Sequence, residues 1–118
     1  MWQITNIQRF VNLTNEPIEI LKREDINDRV SLLPGQEHKR EDIHAPWVNN
    51  HNEFNQRTIE VRYLKSRRIL YIWQHGDKIR ASWSGYEDPG SAIFGEAPEA
   101  GGNKRLVVRP EFAELNNL

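Results

Sequence analysis

Apolar and polar residues alternate along much of this chain. The clearest case is residues 58–64, where Ile59, Val61 and Tyr63 alternate with charged residues. A period of two places successive side chains on opposite faces, which is typical of a strand with one buried face. Helical periodicity does not persist for more than two turns anywhere in the sequence. The pattern therefore predicts an all-β fold.

A second apolar stretch follows closely. Residues 69–74 are apolar at all but the last position, which predicts a central strand covered on both faces. Turn-forming residues at 75–77 separate it from another alternating stretch, residues 78–83. The two stretches together predict a β-hairpin with a loop of about three residues.

The register of this hairpin decides which side chains share a face. A loop of about three residues pairs Trp73 with Ile79 and gathers the large residues of both strands on one face. Arg80 then lies on the other face, together with Leu70 and Ile72. Such a face predicts a second packing layer or a self-association surface. It does not favour nucleic-acid binding, because no aromatic rings lie among its charges.

Shorter strand patterns occupy much of the remaining chain. We expect strands within residues 2–13, 17–21, 29–33 and 104–109, separated by turn residues. Two polar segments, 36–56 and 84–103, do not fit a strand pattern, and helical turns are expected only at 36–42 and 110–115. About seven or eight short strands predict a single antiparallel β-sandwich domain over residues 1–118, or alternatively a small β-barrel, with two long loops.

Composition restricts the chemistry and the location of the protein. The 118-residue chain contains no cysteine, which excludes disulfides, thiolate metal sites and cysteine nucleophiles. Its formal net charge of -1 gives no general attraction to nucleic acid or anionic lipid. Neither a secretory leader nor an apolar stretch of roughly 20 residues is present, so we expect a cytoplasmic protein without a membrane span.

Charge is distributed unevenly along the chain. Residues 57–80 contain seven basic and two acidic side chains, whereas residues 84–103 contain four acidic and no basic ones. These segments are either solvated faces whose fields partly cancel, or an acidic loop that folds over basic strands.

Three of the four histidines lie in the first polar segment. His38, His44 and His51, together with Glu53, are candidate metal ligands, because imidazole and carboxylate groups bind zinc, iron and manganese. An even offset places His38 and His44 on one face of a strand, and His51 and Glu53 likewise. The alternative is that these are surface histidines of a polar loop.

Aromatic residues supply the candidate ligand-binding site. Flat rings cover the apolar faces of sugars or anchor protein partners, while nearby carboxylates and amides form directional hydrogen bonds. Trp83 borders the second polar segment, and Trp47 follows a proline in the first. The candidate residues are Trp83, Tyr86, Asp88, Glu96, Asn103 and Trp47.

No motif in the sequence specifies a catalytic site or a cofactor. The leading hypothesis is a noncatalytic binding or assembly module that recognises a glycan or a protein surface through residues 83–103. The first alternative is a small metal-dependent enzyme that uses the His38, His44, His51 and Glu53 set. The second is a structural protein that forms homo-oligomers through the face of Leu70 and Ile72.

Overall fold

Ten strands and one short helix form the regular structure of the described residues, which are 4–76, 78–86, 93–94 and 100–118 of a computed structural model. The strands are β1 (Thr5–Asn12), β2 (Ile18–Lys22), β3 (Asp25–Leu32), β4 (Glu37–His44), β5 (Ile59–Tyr63), β6 (Ile69–His75), β7 (Lys78–Ser82), β8 (Ile93–Phe94), β9 (Gly102–Val108) and β10 (Ala113–Asn117). The helix, α1, spans His51–Arg57.

The strands form two five-stranded sheets. Sheet A has the order β4-β1-β9-β10-β8, and sheet B has the order β3-β2-β5-β6-β7. The predicted all-β, sandwich-like fold is confirmed, and the sheets do not close into a barrel. Sheet B is antiparallel throughout, but sheet A is mixed, because β1 pairs in parallel with β9 and β10 in parallel with β8.

One hydrophobic core fills the space between the two sheets. Sheet A contributes Phe10 and Leu106, and sheet B contributes Ile20 and Val61, all of them fully buried. The alternation predicted for residues 58–64 is confirmed, since Ile59, Val61 and Tyr63 of β5 all belong to this core. Burial of such large side chains is the main favourable contribution to folding.

The predicted register of the β6–β7 hairpin is wrong by one residue. Trp73 lies opposite Arg80, and Ile72 lies opposite Ala81. The loop is therefore two residues long, and Gly76 at its start has a φ of 64°. Two-residue hairpin loops favour positive φ because their twist matches that of the flanking strands.

This register reverses the assignment of the two faces of β6. Leu70 and Ile72 are completely buried in the core, so the face expected to mediate self-association is the inner face of sheet B. Tyr71 and Trp73 instead share the outer face with Arg80. Arg80 and the aromatic residues of β6, predicted to lie on opposite faces, therefore lie on the same one.

The first polar segment is not a long loop. Residues 37–44 form β4, an edge strand that pairs with β1, and no helical turn is present there. The helix α1 follows, where the Asn50 side chain accepts a 2.9 Å hydrogen bond from the Glu53 amide and so caps the first turn. The only buried side chain of α1 is Phe54, which packs against Trp73 and Val48 on the outer face of sheet B.

The two remaining differences concern the end of the chain. Residues 113–117 form β10 rather than a helical turn, with Ala113 and Leu115 facing the core. Most of the second polar segment, including its four acidic side chains, lies outside the described residues. The prediction that this acidic loop folds over the basic strands therefore also falls outside them. None of the helical structure in the described ranges is long and apolar enough to cross a membrane.

Candidate functional site

The turn between β5 and β6 is held by a buried carboxylate. Glu16, only 7% exposed, accepts hydrogen bonds at one oxygen from the backbone amides of Lys65 (2.9 Å) and Ser66 (2.8 Å) and from the Ser66 hydroxyl (3.2 Å). Burial alone would raise the pKa of Glu16, but these hydrogen bonds and the charge of Arg68 hold it below its usual range. The ionised carboxylate therefore organises the turn.

Arg67 occupies the strained position of this turn. Its φ is 64°, the left-handed region that favours glycine, and no other non-glycine residue described has a positive φ. The Arg67 amide donates a 2.7 Å hydrogen bond to the carbonyl of Tyr63. Its side chain is exposed, and no described carboxylate lies within 4 Å of the guanidinium. Strain of this kind is concentrated at functional positions.

Arg68 is held in place by aromatic and polar contacts. Its guanidinium lies 4.7 Å from the ring centre of Trp83 and 5.1 Å from that of Tyr63. One nitrogen is 3.2 Å from a carboxylate oxygen of Glu111, and another donates to the carbonyl of Pro110. Such cation–π contacts and charge-assisted hydrogen bonds orient a planar guanidinium.

Tyr63 forms the rigid base beneath Arg68. The ring is fully buried, and its hydroxyl donates a 2.6 Å hydrogen bond to the carbonyl of Arg109. Burial raises the pKa of the Tyr63 hydroxyl, while the positive charge of Arg68 acts in the opposite direction. The hydroxyl therefore remains protonated and available as a donor.

These residues border an open groove of about 550 Å³ on sheet B. Its lining combines charged side chains from two turns with apolar and aromatic side chains from β6 and from the residue that follows β7. We call it the arginine–aromatic groove. It is lined by Arg67, Arg68, Ile69, Tyr71, Trp83 and Glu111.

A smaller pocket of about 280 Å³ lies on the other side of Tyr71, which lines both cavities. Arg23 lies 5.2 Å above the Tyr71 ring and pairs with Glu60 at 2.6 Å. The aromatic wall of this pocket comes from Phe54 and Tyr86, whose ring centres are 5.8 Å apart. The groove and the pocket are therefore neighbouring depressions separated by one tyrosine.

Two of the predicted ligand-binding residues lie along this surface. Trp83 lines the groove and Tyr86 lines the smaller pocket. Between them the chain turns, because the Ser82 hydroxyl accepts hydrogen bonds from the amides of Ser84 (3.0 Å) and Gly85 (3.1 Å). The turn leads from Trp83, which packs against the main core, to Tyr86, which packs against Phe54 and Trp73.

The other predicted ligand-binding residues are not brought to this surface. Trp47 is 38% exposed and lies beside Gln74, where it forms an isolated bridge with β6. Asn103 lies in β9 on sheet A, next to Asn6. Asp88 and Glu96 lie outside the described residues.

The candidate metal ligands occupy two separate elements. His38 and His44 are both exposed in β4, where His38 is aligned with buried Phe10 and His44 with Asn6. Because aligned residues share a face, the two histidines lie on opposite faces, and the expected common face is wrong. The cause is a shift in the β1–β4 register between the two positions.

His51 and Glu53 lie in the first turn of α1. The exposed His51 ring packs in a T-shaped arrangement with the Tyr86 ring, with 5.2 Å between the ring centres. Glu53 accepts a 3.1 Å hydrogen bond from the Asn49 amide and pairs with Arg57 at 3.0 Å. Within the described ranges, no group of three or more histidine, aspartate or glutamate side chains is placed to hold a metal ion.

Sequence reasoning missed the residues that define the groove. Arg67 and Arg68 were treated in the sequence analysis only as part of a basic segment. Their position in a basic turn between two strong strand patterns could have indicated a binding site. Tyr71 was expected in the core, and the hairpin register moved it to the outer face. The contribution of Glu111, more than forty residues away from Arg68 in sequence, has no local signal.

Comparison with known proteins gives no match: no family model, no curated protein and no solved structure is similar to this chain at a significant level.

Proposed function

We propose that this protein is a noncatalytic binding module that holds an acidic segment of a protein partner in the arginine–aromatic groove. The observation that carries the proposal is the contrast between two adjacent arginines. Arg68 is fixed against Trp83 and Glu111, whereas Arg67 projects into solvent without a described carboxylate within 4 Å. A rigid surface beside an uncompensated guanidinium is suited to carboxylate recognition.

Several further features favour a protein partner over a glycan. The guanidinium of Arg68 lies over the Trp83 ring, and that of Arg23 lies over Tyr71. Each covers a ring face on which a sugar would otherwise stack. Tryptophan, tyrosine and arginine are also the residues that contribute most to protein interfaces, and Leu64, 50% exposed, adds apolar surface beside the groove.

The charge around the groove favours an acidic partner segment. Lys65 and Arg67 lie in the same turn, and neither side chain has an ion pair with a described residue. Arg62 is nearby on β5, where its charge is shared with Glu60 at 3.2 Å. The turn therefore presents excess positive charge, which accelerates and orients the association of an acidic segment.

A peptide array tests this function. Each peptide on it is acidic and contains one aromatic or leucine residue, and a version with glutamine in place of each glutamate is printed beside it. A glycan array is run in parallel. We expect binding to the acidic peptides, reduced about tenfold by Arg67→Ala. The matched control is Arg29→Ala, which removes the same charge from β3, outside the groove.

Equal loss in the two variants would show that total charge, rather than the groove, governs binding. Binding to glycans but not to peptides would overturn the protein-partner proposal in favour of a sugar ligand. Absence of binding on both arrays would also count against it. Peptide binding that survives both Arg67→Ala and Trp83→Ala would exclude the groove.

A further inference from the structure

Three cationic side chains lie side by side across sheet A. Arg9 of β1 is aligned on one side with Lys39 of β4 and on the other with Arg105 of β9. Aligned residues of neighbouring strands share a face, and the strands are about 4.8 Å apart. We call Lys39, Arg9 and Arg105 the cationic row. The row lies on the outer face of sheet A, whereas the arginine–aromatic groove lies on sheet B.

A β-bulge places Arg9 in this row. Ile7 and Phe10 are both fully buried although they are three positions apart, which regular alternation does not allow. Against β9, β1 has one extra residue, Gln8, between Ile7 and Arg9; against β4 the register shifts at the same point, but there β4 has the longer stretch, residues 40–42. β-Bulges change the direction in which side chains point, and they are structural features rather than defects. Here the bulge aligns Arg9 with a cation on each side.

The arrangement is electrostatically unfavourable in the free protein. Like charges directly opposite one another destabilise a sheet. No described carboxylate lies within 4 Å of any side chain of the row. On the same face, Glu114 is paired with Arg109 at 3.2 Å, and Glu37 is aligned with Val11 rather than with the row. A local electrostatic cost that no described carboxylate offsets within 4 Å is typical of a functional position.

The neighbours of the row are mainly amides. Asn6 and Asn103 are aligned with each other on one side of the row, with a side-chain hydrogen bond of 3.4 Å, and Asn116 is aligned with Arg105. On the other side of the row lie Val11 and Val107. Apart from the His44 imidazole, which is aligned with Asn6, the described side chains aligned across these strands include no ring on which a nucleic-acid base could stack.

We infer that the outer face of sheet A binds an acidic polysaccharide. Guanidinium groups form paired hydrogen bonds with sulfate and carboxylate oxygens, and the ammonium of Lys39 adds a third positive charge. Asparagine amides both donate and accept hydrogen bonds, as sugar hydroxyls do. The ligand thus places its anionic groups along the cationic row and its hydroxyls on Asn6, Asn103 and Asn116.

Calorimetric titration with a sulfated hexasaccharide tests this inference, with its chemically desulfated form and a dT12 oligonucleotide as comparison probes. The test variant is Arg9→Gln/Arg105→Gln. We expect it to bind the sulfated probe about tenfold or more weakly than the wild type, with a shallower dependence of log Kd on log salt. The desulfated probe and dT12 are expected to bind weakly to both proteins.

Arg29→Gln/Arg57→Gln is the matched control, since it removes two charges from β3 and α1, outside both sheet A and the groove. Loss of hexasaccharide binding in this control equal to that in Arg9→Gln/Arg105→Gln would show nonspecific charge attraction and overturn the inference. Equally tight binding of dT12, or of the desulfated probe, would overturn it as well, as would the absence of binding by the wild type at low salt.

Thermal unfolding and NMR measurements distinguish a loss of binding from a loss of folding. Because Arg9→Gln relieves repulsion from two neighbouring cations, we expect its Tm without ligand to equal or exceed that of the wild type. The side-chain amide NMR signals of Asn6, Asn103 and Asn116 should shift on adding the sulfated probe. Unchanged signals during a calorimetrically detected titration would place the ligand elsewhere and overturn the inference.

Discussion

The hydroxyl of Tyr63 donates a 2.6 Å hydrogen bond to the carbonyl of Arg109, and this contact joins the end of β5 in sheet B to the residue that follows β9 in sheet A. The Tyr63 ring also supports Arg68 and contacts Trp83 at 5.4 Å between ring centres. A single buried side chain thus connects the two sheets with the candidate site.

Tyr63→Phe should reduce the free energy of unfolding by about 1 to 2 kcal/mol, because the Arg109 carbonyl loses its buried donor. Urea denaturation measures the change. Tyr86→Phe is the control, since the Tyr86 hydroxyl has no hydrogen bond with a described residue. Equal effects of the two substitutions would argue against the importance of the inter-sheet hydrogen bond.

Glu16→Gln should remove a specific acid dependence of stability. The pKa of Glu16 in the folded protein is below its unfolded value, so the ionised group stabilises the fold at neutral pH. This stabilisation is complete above the unfolded pKa of about 4.3 and is lost as the pH falls through the folded pKa.

Urea denaturation at pH 7, 5 and 3 tests the role of Glu16. The difference in stability between wild type and Glu16→Gln should be largest at pH 7 and shrink toward pH 3. Glu24→Gln, at a partly exposed carboxylate paired with Lys22, serves as the control. A constant difference across the three pH values would contradict the assignment.

Arg67→Gly should stabilise the protein while weakening the binding proposed for the groove. Relief of the left-handed backbone is worth about 1 to 2 kcal/mol, from which the entropy lost by glycine subtracts about 0.5 to 1 kcal/mol. The net gain, measured by urea denaturation, should not exceed about 1.5 kcal/mol. Lys65 lies in the same turn but does not have a positive φ, so Lys65→Gly should be destabilising. The same sign of effect in both variants would contradict the role of strain.

Phe54→Ala should detach α1 from sheet B. The Phe54 ring meets Trp73 at 5.2 Å between ring centres and Tyr71 at 5.3 Å, and it is the only buried side chain of the seven-residue helix. We expect a loss of about 3 kcal/mol and a red shift of the tryptophan fluorescence as Trp73 becomes exposed. His51→Ala, at an exposed position of the same helix, should change both much less. An unshifted spectrum would indicate that α1 remains docked.

The strongest strands were predictable from alternation alone. Ile59, Val61 and Tyr63 face the core as their spacing indicates, because a half-buried strand needs an apolar residue at every second position. The apolar run before Gly76 was predicted as a strand covered on both faces, and β6 is covered by the core on one side and by α1 on the other.

Other elements had no such local signal. β4 is an edge strand, so a polar sequence with Ile43 as its main apolar contact is sufficient for it to pair with β1. The hairpin register was missed because Trp73 and Ile72 are both large and apolar, and alternation cannot tell which of them faces the core. The two-residue loop and the packing against sheet A decided it.

The sequence by itself determined an all-β sandwich and its strongest strands. Only the tertiary structure decided that Arg68 meets Glu111 and that Arg9 stands between Lys39 and Arg105. The physical reason is the range of the interactions. Alternation indicates which face of one strand is buried. Strand order and register bring together side chains that are far apart along the chain.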